Sequence, residues 1–497
     1  MENQENSPAA EIPVQTVEDI FTQRVNKVQE LKNEGAKPFG EAFEGAEHVS
    51  IIREKFKDDS TEEVSCCAAG RLTAFRVMGK SIFADIRDSS GRMQLYAQKG
   101  HLSEEDFAKF KKLDIGDIIG IKGVLFKTRT AEITIKVTDY RLLSKSLRPL
   151  PEKWHGLTDV EQRYRQRYLD LIVNDVTRET FKKRFAIIRE IRNFLEQKGF
   201  IEVETPMLQP IPGGASANPF KTFYEALNSP MYMRIAPELY LKRLLVGGFE
   251  KVYELNRNFR NEGMSRRHNP EFTMIEIYQA YGDCRTMMAL IEELVTTVAM
   301  NVLGTLEIKH SEDKIINLSR PWRIAPYNDL IKEKAGNDWF EVSSEERLKR
   351  GREMGLKFEG TPPDFEVTHE IYEKLIEQTL IQPTFVTRLP AVLVPLAKKC
   401  EDNPSLVDVF ELEINGQEVS PGYSELNDPI EQRRRFEEQT GSADAGKIDE
   451  DFLTAMEHGM PPAGGMGIGI DRLVMMLTGA ESIRDVILFP QLRPKSN

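Results

Sequence analysis

Residues 254–278, ELNRNFRNEGMSRRHNPEFTMIEIY, decide the fold. Along 252–260 residue types alternate, with Tyr253, Leu255 and Phe259 on one side of an extended chain and Glu254, Asn256, Asn258 and Arg260 on the other. A period of two marks a strand with one face toward a core. The run 272–278 repeats it, setting Thr273, Ile275 and Ile277 against Phe272, Met274, Glu276 and Tyr278. Between them NEGMSRRHNPE has the Gly, Asn and Pro of a turn but also Arg266, Arg267 and His268. One sheet face then carries Arg260, Phe272, Glu276 and Tyr278, with cationic side chains overhanging it. Such a face suits an anionic ligand with a flat ring: guanidinium for phosphate, aromatic for base, carboxylate for amine. A half-exposed amphipathic hairpin of purely structural use satisfies the same pattern.

The chain around this hairpin has 497 residues, enough for two or three domains and a large core. With 40% hydrophobic and 29% charged residues it reads as ordinary globular protein. No apolar run reaches membrane-spanning length and the acidic N-terminus lacks a secretory pattern, so no membrane partner is expected. Cys66, Cys67, Cys284 and Cys400 have neither metal nor disulfide spacing, which points to reduced thiols and a cytoplasmic protein. A net charge of −12 argues against a generic nucleic-acid binder while leaving room for a local basic surface. The run 145–184, with ten Lys and Arg against six Asp and Glu, is one such surface or else a solvated linker face.

Residues 1–15 are polar and Pro-punctuated, and disorder is expected there. A helix is expected over 17–31, from the spacing of Ile20, Val25, Val28 and Leu31, and a second over 47–57. From Val64 five strand-like runs follow, with FAKFKKL as a helix between the third and fourth. That order is the order of an OB-fold barrel, which binds single-stranded nucleic acid or serves as a plain interaction module. After a linker, 181–198 reads as an amphipathic helix stopped by Gly199, running into the strand FIEVETPML. Helical runs at 284–302, 343–355 and 366–380 suggest a helical insertion beside the sheet.

Two further stretches carry chemistry. In AGGMGIGIDRLVMMLTG, Gly465, Gly467 and Gly469 clear one face of a strand, and Arg472 follows at a helix start, where anions are favoured. The spacing fails the dinucleotide-binding pattern G-x-G-x-x-G. Residues 407–420 read as a hairpin turning at Asn415-Gly416, which sets Glu413 opposite Glu418 with Glu411 diagonal to Glu418. Clustered carboxylates destabilise a sheet unless a cation sits among them or they fan into water, and hard oxygens in that arrangement suit Mg2+.

FRNEG, a loop, then RHNPEFTMIEIY resembles the second signature motif of class II aminoacyl-tRNA synthetases, and GMGIGIDR resembles the third. From about residue 64 to 494 the chain resembles the bacterial lysyl branch of that family. The resemblance implies an α+β protein: an antiparallel class II sheet flanked by helices over 181–497, with an insertion at about 283–400, and an OB-fold anticodon-binding domain over 63–146. A tail with helices (1–62) and a linker (147–180) complete it. It implies ATP-dependent ligation of L-lysine to tRNA(Lys) by a homodimer that pairs through the helix and strand at 181–208. Residue by residue, it assigns catalysis to Arg260 and Arg472 and the amino acid to Gly214, Glu238, Glu276, Tyr278, Tyr423 and Glu425. It assigns ATP to Arg260, Glu262, His268, Phe272, Glu411 and Arg472, Mg2+ to Glu411 and Glu418, and the anticodon to Arg76, Phe83, Gln94 and Glu132.

Two positions depart from the family pattern. Pro421 stands where an Asn usually helps hold the substrate carboxylate, and Asn218 replaces a usually basic residue. Two other readings are a ligase paralogue that modifies a translation factor, which would resemble the catalytic domain alone, and a catalytically silent RNA-binding relative. ATP–pyrophosphate exchange with and without lysine separates them.

Overall fold

The computed structural model describes residues 16–58, 62–151, 157–215, 217–440 and 448–494. The chain divides into two compact units, Met1–Thr158 and Asp159–Asn497. The stretch 1–15, expected to be disordered, lies outside the described residues.

In the first unit five strands, Ser65–Met78 (β1), Ser81–Arg87 (β2), Arg92–Gln98 (β3), Ile118–Lys127 (β4) and Ile133–Ser144 (β5), close into a barrel in the order β1-β2-β3-β5-β4. The helix Glu104–Lys111 sits between β3 and β4, its first turn capped by the Ser103 hydroxyl, which accepts from the Asp106 N–H. Alternation does the sorting: Met93, Leu95 and Ala97 of β3 are fully buried, which turns Gln94 and Tyr96 outward. The helix Val17–Asn33 starts at a Thr16/Asp19 capping box. Its expected apolar face is only partly correct. Val25 is exposed, while Arg24 is buried and donates to the carbonyls of Ile115 and Ser146. A long side chain can bury its stem and still satisfy its head.

The second unit is built on an eight-stranded sheet. Its strands, edge to edge, are Arg323–Pro326, Thr384–Thr387, Val409–Glu413, Glu418–Ser424, Ala463–Gly469, Glu271–Ala280, Lys251–Phe259 and Ile201–Glu202. Only the two outermost pairings are parallel. The central hairpin has the register its alternation requires, with Glu254 opposite Glu276 and Asn258 opposite Phe272. Tyr253, Ile275 and Ile277 enter a core with Ile187, Ile191 and Phe194 from the helix Asp175–Gln197 and with Met287, Ile291 and Leu294 from the helix Cys284–Leu303.

Three expectations are corrected here. Cys284–Leu303 is long and apolar enough to cross a membrane, but nine of its residues, from Cys284 to Ala299, are buried in this core. The stretch 283–400 is not all helical: Arg323–Pro326 and Thr384–Thr387 extend the main sheet, four-residue strands too short for periodicity to announce. The helix expected over 181–198 begins six residues earlier, at Asp175, and ends at Gln197, with Lys198 as its cap and Gly199 at φ +80°.

One buried network ties the helix Asp175–Gln197 to the sheet. Arg184 donates to Asp471 Oδ1 at 2.6 Å and to Thr273 Oγ1 at 3.2 Å, and the Thr273 N–H donates to Asp471 Oδ2 at 2.8 Å. The side chains of Arg184 and Asp471 are 8% and 3% exposed, so removing one strands the other. Arg184→Met is expected to lower the stability of this unit by about 3–5 kcal/mol. Denaturant unfolding followed by the fluorescence of buried Trp322 and Trp339 measures it; an unchanged midpoint contradicts the assignment.

Candidate active site

The polar face of the central hairpin and the first turn of the helix Ile470–Thr478 enclose a cavity of about 240 Å³. It gathers Arg260, Glu262, His268, Phe272, Glu418 and Arg472, residues spread over more than two hundred positions of sequence. Arg260 lies just past the end of its strand, its guanidinium 5.2 Å from the centre of the Phe272 ring. Its Nε is buried with no hydrogen-bond partner. Burial pulls its pKa down from the usual arginine value, against the pull of Glu262, Glu276 and Glu418, so a desolvated cation faces the cavity. Arg472 donates to the Glu418 carbonyl at 2.7 Å and to His268 Nε2 at 3.1 Å. Burial and then Arg472 hold the His268 pKa below that of a free imidazole, leaving the neutral ring as acceptor. Two guanidiniums, a ring and a helix N-terminus together make a receptor for a polyanion carrying a planar group.

Beside this cavity lies a cluster of three carboxylates with a lysine and two tyrosines. Glu238 and Lys242 lie on the helix Glu238–Val246, Glu276 on the hairpin, Tyr423 on the strand Glu418–Ser424, and Glu425 one residue beyond it. The ammonium of Lys242, wholly buried, is 2.6 Å from Glu238 Oε1 and 2.5 Å from Glu425 Oε2. The Tyr423 hydroxyl also donates to Glu238 Oε1, at 2.6 Å, and the Tyr278 hydroxyl to Glu276 Oε2, at 3.0 Å. Glu425 Oε1 is buried without a hydrogen-bond partner. Burial pushes Glu425 up to about 8 even with Lys242 beside it, and burial and then Glu238 push Glu276 up to about 8. Lys242 is desolvated as well, but Glu238 and Glu425 outweigh that and raise it to about 12. Three carboxylates with one ammonium leave two negative charges unmatched when all are ionised, so the cluster calls for cations.

Small residues make the room. A Cβ at Gly465 would come within 1.9 Å of Glu425 Oε1 and 2.5 Å of the Tyr278 ring. Gly214 has φ +83°, and a Cβ there would meet those of Glu238 and Ala236 at 3.0 and 3.2 Å.

A family model described as "tRNA synthetases class II (D, K and N)" matches residues 159–493, and one described as "OB-fold nucleic acid binding domain" matches 67–143. The chain is 52% identical over 487 residues to a protein named lysine–tRNA ligase from Syntrophomonas wolfei, covering 97% of this chain and 98% of that one. It is 52% identical to the lysine–tRNA ligase of Carboxydothermus hydrogenoformans (97% and 99% covered) and 50% identical to that of Halalkalibacterium halodurans (96% and 98%). The chain belongs to the class II lysine–tRNA ligases.

The family's motif positions converge in this structure, but in two groups. Arg260, Glu262, His268, Phe272, Glu418 and Arg472 line the open cavity, whereas Glu238, Glu276, Tyr278, Tyr423 and Glu425 form the inner cluster. Glu411 stands apart from both, opposite Pro421, while Glu413 pairs with Glu418 across the turn as the sequence predicts. The Tyr372 hydroxyl donates to Glu413 Oε1 at 3.1 Å, and Glu413 Oε2 has no partner. Desolvation, then Glu418 and Glu377, raise Glu411 to about 8; burial, then Glu411 and Glu418, raise Glu413 to about 10. These hard oxygens suit a divalent cation that brings further ligands of its own, since among the described residues no three His, Cys, Asp or Glu side chains converge closely enough to hold one alone.

The anticodon candidates lie on the barrel's outer face. Arg76, Phe83 and Gln94 line a groove of about 530 Å³ together with Tyr96, Phe126 and Arg129. Phe83, Tyr96 and Phe126 form a continuous aromatic row, with centroids 5.0 and 5.8 Å apart. Glu132 does not line the groove but is held by Arg92 at 2.9 Å. The basic run proves largely structural within the second unit: Arg163 and Arg167 pair with buried Asp170, and Arg184 with Asp471. Sequence reading missed Tyr96 and Phe126, which the barrel's alternation would have placed beside Phe83, and Lys242, whose spacing of four from Glu238 puts both on one helix face.

Glu276 and Glu425 stay protonated to about pH 8 in the empty enzyme, whereas a glutamate in the unfolded chain ionises near 4.3. Between those values the folded state holds the extra protons, so these two groups make its stability fall as pH rises. Infrared difference spectra of the ligand-free enzyme are expected to show buried protonated carboxyls at pH 7 that vanish by about pH 9, and that are reduced in Glu276→Gln and Glu425→Gln. Full ionisation at pH 6 contradicts this.

Proposed function

We propose that this chain is an ATP-dependent lysine–tRNA ligase acting in the cytoplasm as a homodimer. The observation that carries the amino-acid choice is the charge shortfall of the inner cluster. Three carboxylates and the ammonium of Lys242 leave a demand for two cations, and lysine brings two ammonium groups. A monoamine leaves one buried carboxylate unmatched, and an acidic amino acid adds to the excess. Glu238, with the Gly214 loop beside it, takes the α-ammonium. Glu276, Tyr278, Tyr423 and Glu425 surround the ε-ammonium.

The substrate carboxylate then points at Arg260, which bridges it to the α-phosphate. The carboxylate oxygen attacks the α-phosphorus in line as the bond to pyrophosphate breaks, giving lysyl-adenylate. The 3′-terminal hydroxyl of tRNA(Lys) next attacks the lysyl carbonyl and AMP leaves. No protein nucleophile takes part; Arg260 and Arg472 supply positioning and charge neutralisation. Phe272 stacks on adenine, with Glu262 and His268 beside it. Mg2+ belongs with Glu411 and Glu418, where it would neutralise phosphate charge. Arg76, Phe83, Gln94 and Glu132 bind the anticodon.

The five-stranded barrel with its aromatic row supports an RNA substrate over a protein one. Exposed Phe185 and Val176 on the helix Asp175–Gln197 and Ile201 on the adjoining strand support a subunit contact there.

Lysine-dependent ATP–pyrophosphate exchange across a panel including ornithine and β-lysine tests the assignment. Exchange strongest with lysine is expected; exchange with another amine, or none, overturns it. Pro421 lines the cavity opposite Glu411 and offers neither a side-chain amide nor an N–H to a substrate carboxylate. Pro421→Asn is therefore expected to tighten lysine binding by about 1–3 kcal/mol, read as a lower lysine KM. An unchanged KM would mean that Pro421 is a neutral variation.

A further inference from the structure

Lys242 is a charged side chain with no exposed surface at the head of the amino-acid site, and the substrate roles above do not use it. Which oxygens it takes is informative. Lys242 and Tyr423 both donate to Oε1 of Glu238, and Lys242 forms an ion pair with Oε2 of Glu425, whose two buried oxygens accept no hydrogen bond. Its ammonium also lies 5.5 Å from the centre of the Tyr423 ring, so it touches the three side chains that meet where the helix Glu238–Val246 faces the strand Glu418–Ser424. Without that cation nothing would bridge Glu238 and Glu425, and the two side chains would be free to move apart.

We propose that Lys242 is a positioning residue that sets amino-acid specificity: by holding one oxygen of each of Glu238 and Glu425, it fixes the distance between the two ammonium sites and limits the pocket's demand to two cations. This rests on the lysine reading above. Lys242 touches no reacting atom. It acts through the two carboxylates, and a side chain one methylene shorter than lysine is rejected because those carboxylates cannot shift to meet it. A purely structural ion pair would also be buried, but its loss would lower stability without preferring one substrate over another.

The test uses the full-length enzyme and ATP–pyrophosphate exchange. Lys242→Met and Lys242→Gln are expected to raise the lysine KM by about tenfold or more with the ATP KM within about twofold, and to narrow the lysine-over-ornithine preference by a similar factor. In a Glu425→Gln background the same changes are expected to cost less than they do alone, because only Glu238 is then left for Lys242 to hold. Lys242→Gln keeps a hydrogen-bond donor of similar size, so a folded neutral variant remains available if the Met variant melts early. A lysine KM within about twofold of the parent, equal rises in both KM values with unchanged preference, or losses that multiply with Glu425→Gln would each overturn the proposal. Absence of lysine-dependent exchange in the parent enzyme would instead overturn the lysine reading itself.

Discussion

The site depends on an electrostatic imbalance that the fold maintains. Glu238, Glu276 and Glu425 are held in a dry pocket with one internal cation, and burial, with the charge of Glu238 adding to it, moves the other two to about 8. Such an arrangement is unfavourable in the empty protein and is tolerated because the surrounding sheet over-determines where each group sits. Their positions are set by cross-strand register and by a helix that begins at Glu238, elements anchored in one continuous apolar core and its neighbour. The same core holds Arg260 and Arg472 facing the cavity, and it joins site strands from two separate stretches of the chain, the central hairpin and the run from Val409 to Gly469. Stability is concentrated in the apolar layer, and the polar layer above it carries the unmet charge.

The hairpin and the glycine-rich strand were legible because each has a short, local signal: a period of two in one and cleared side chains in the other. The barrel was legible for the same reason, from five strand-like runs with a helix in a fixed place. What local pattern cannot convey is partnership across the sheet. Lys242 reads as one more residue of an amphipathic helix until the strand Glu418–Ser424 brings Tyr423 and Glu425 against it. Resemblance assigns Glu132 to the anticodon, and only the fold shows that it is paired with Arg92, a residue of the groove's lining. The short edge strands inside 283–400 were missed since four residues hold too few alternations to register as a period.

The two halves of the site differ in how they are built. The outer cavity is open and lined by groups with spare hydrogen-bonding capacity, as suits a large, flexible, hydrated polyanion. The inner cluster is closed: Glu238 accepts from Lys242 and Tyr423, Glu276 accepts from Tyr278, and Glu425 is ion-paired with Lys242. Half-satisfied groups of this kind discriminate strongly, because a wrong ligand leaves a buried charge unpaired whereas a lost contact in the open cavity can be replaced by water.

The alternate glycines of the strand Ala463–Gly469 look like one repeated requirement, yet the space around them grades along the strand. At Gly465 an added methyl would collide with Glu425 and Tyr278; at Gly467 it would press at 3.1 Å on the mobile end of Met274; at Gly469 its nearest neighbours lie at 3.7 Å, ordinary contact. The motif is therefore three constraints of decreasing severity. Tolerance to change along it runs from closed beside the carboxylate cluster to permissive beside the open cavity, so substitutions in this strand would be accepted first at the cavity end while the geometry of the cluster stays fixed.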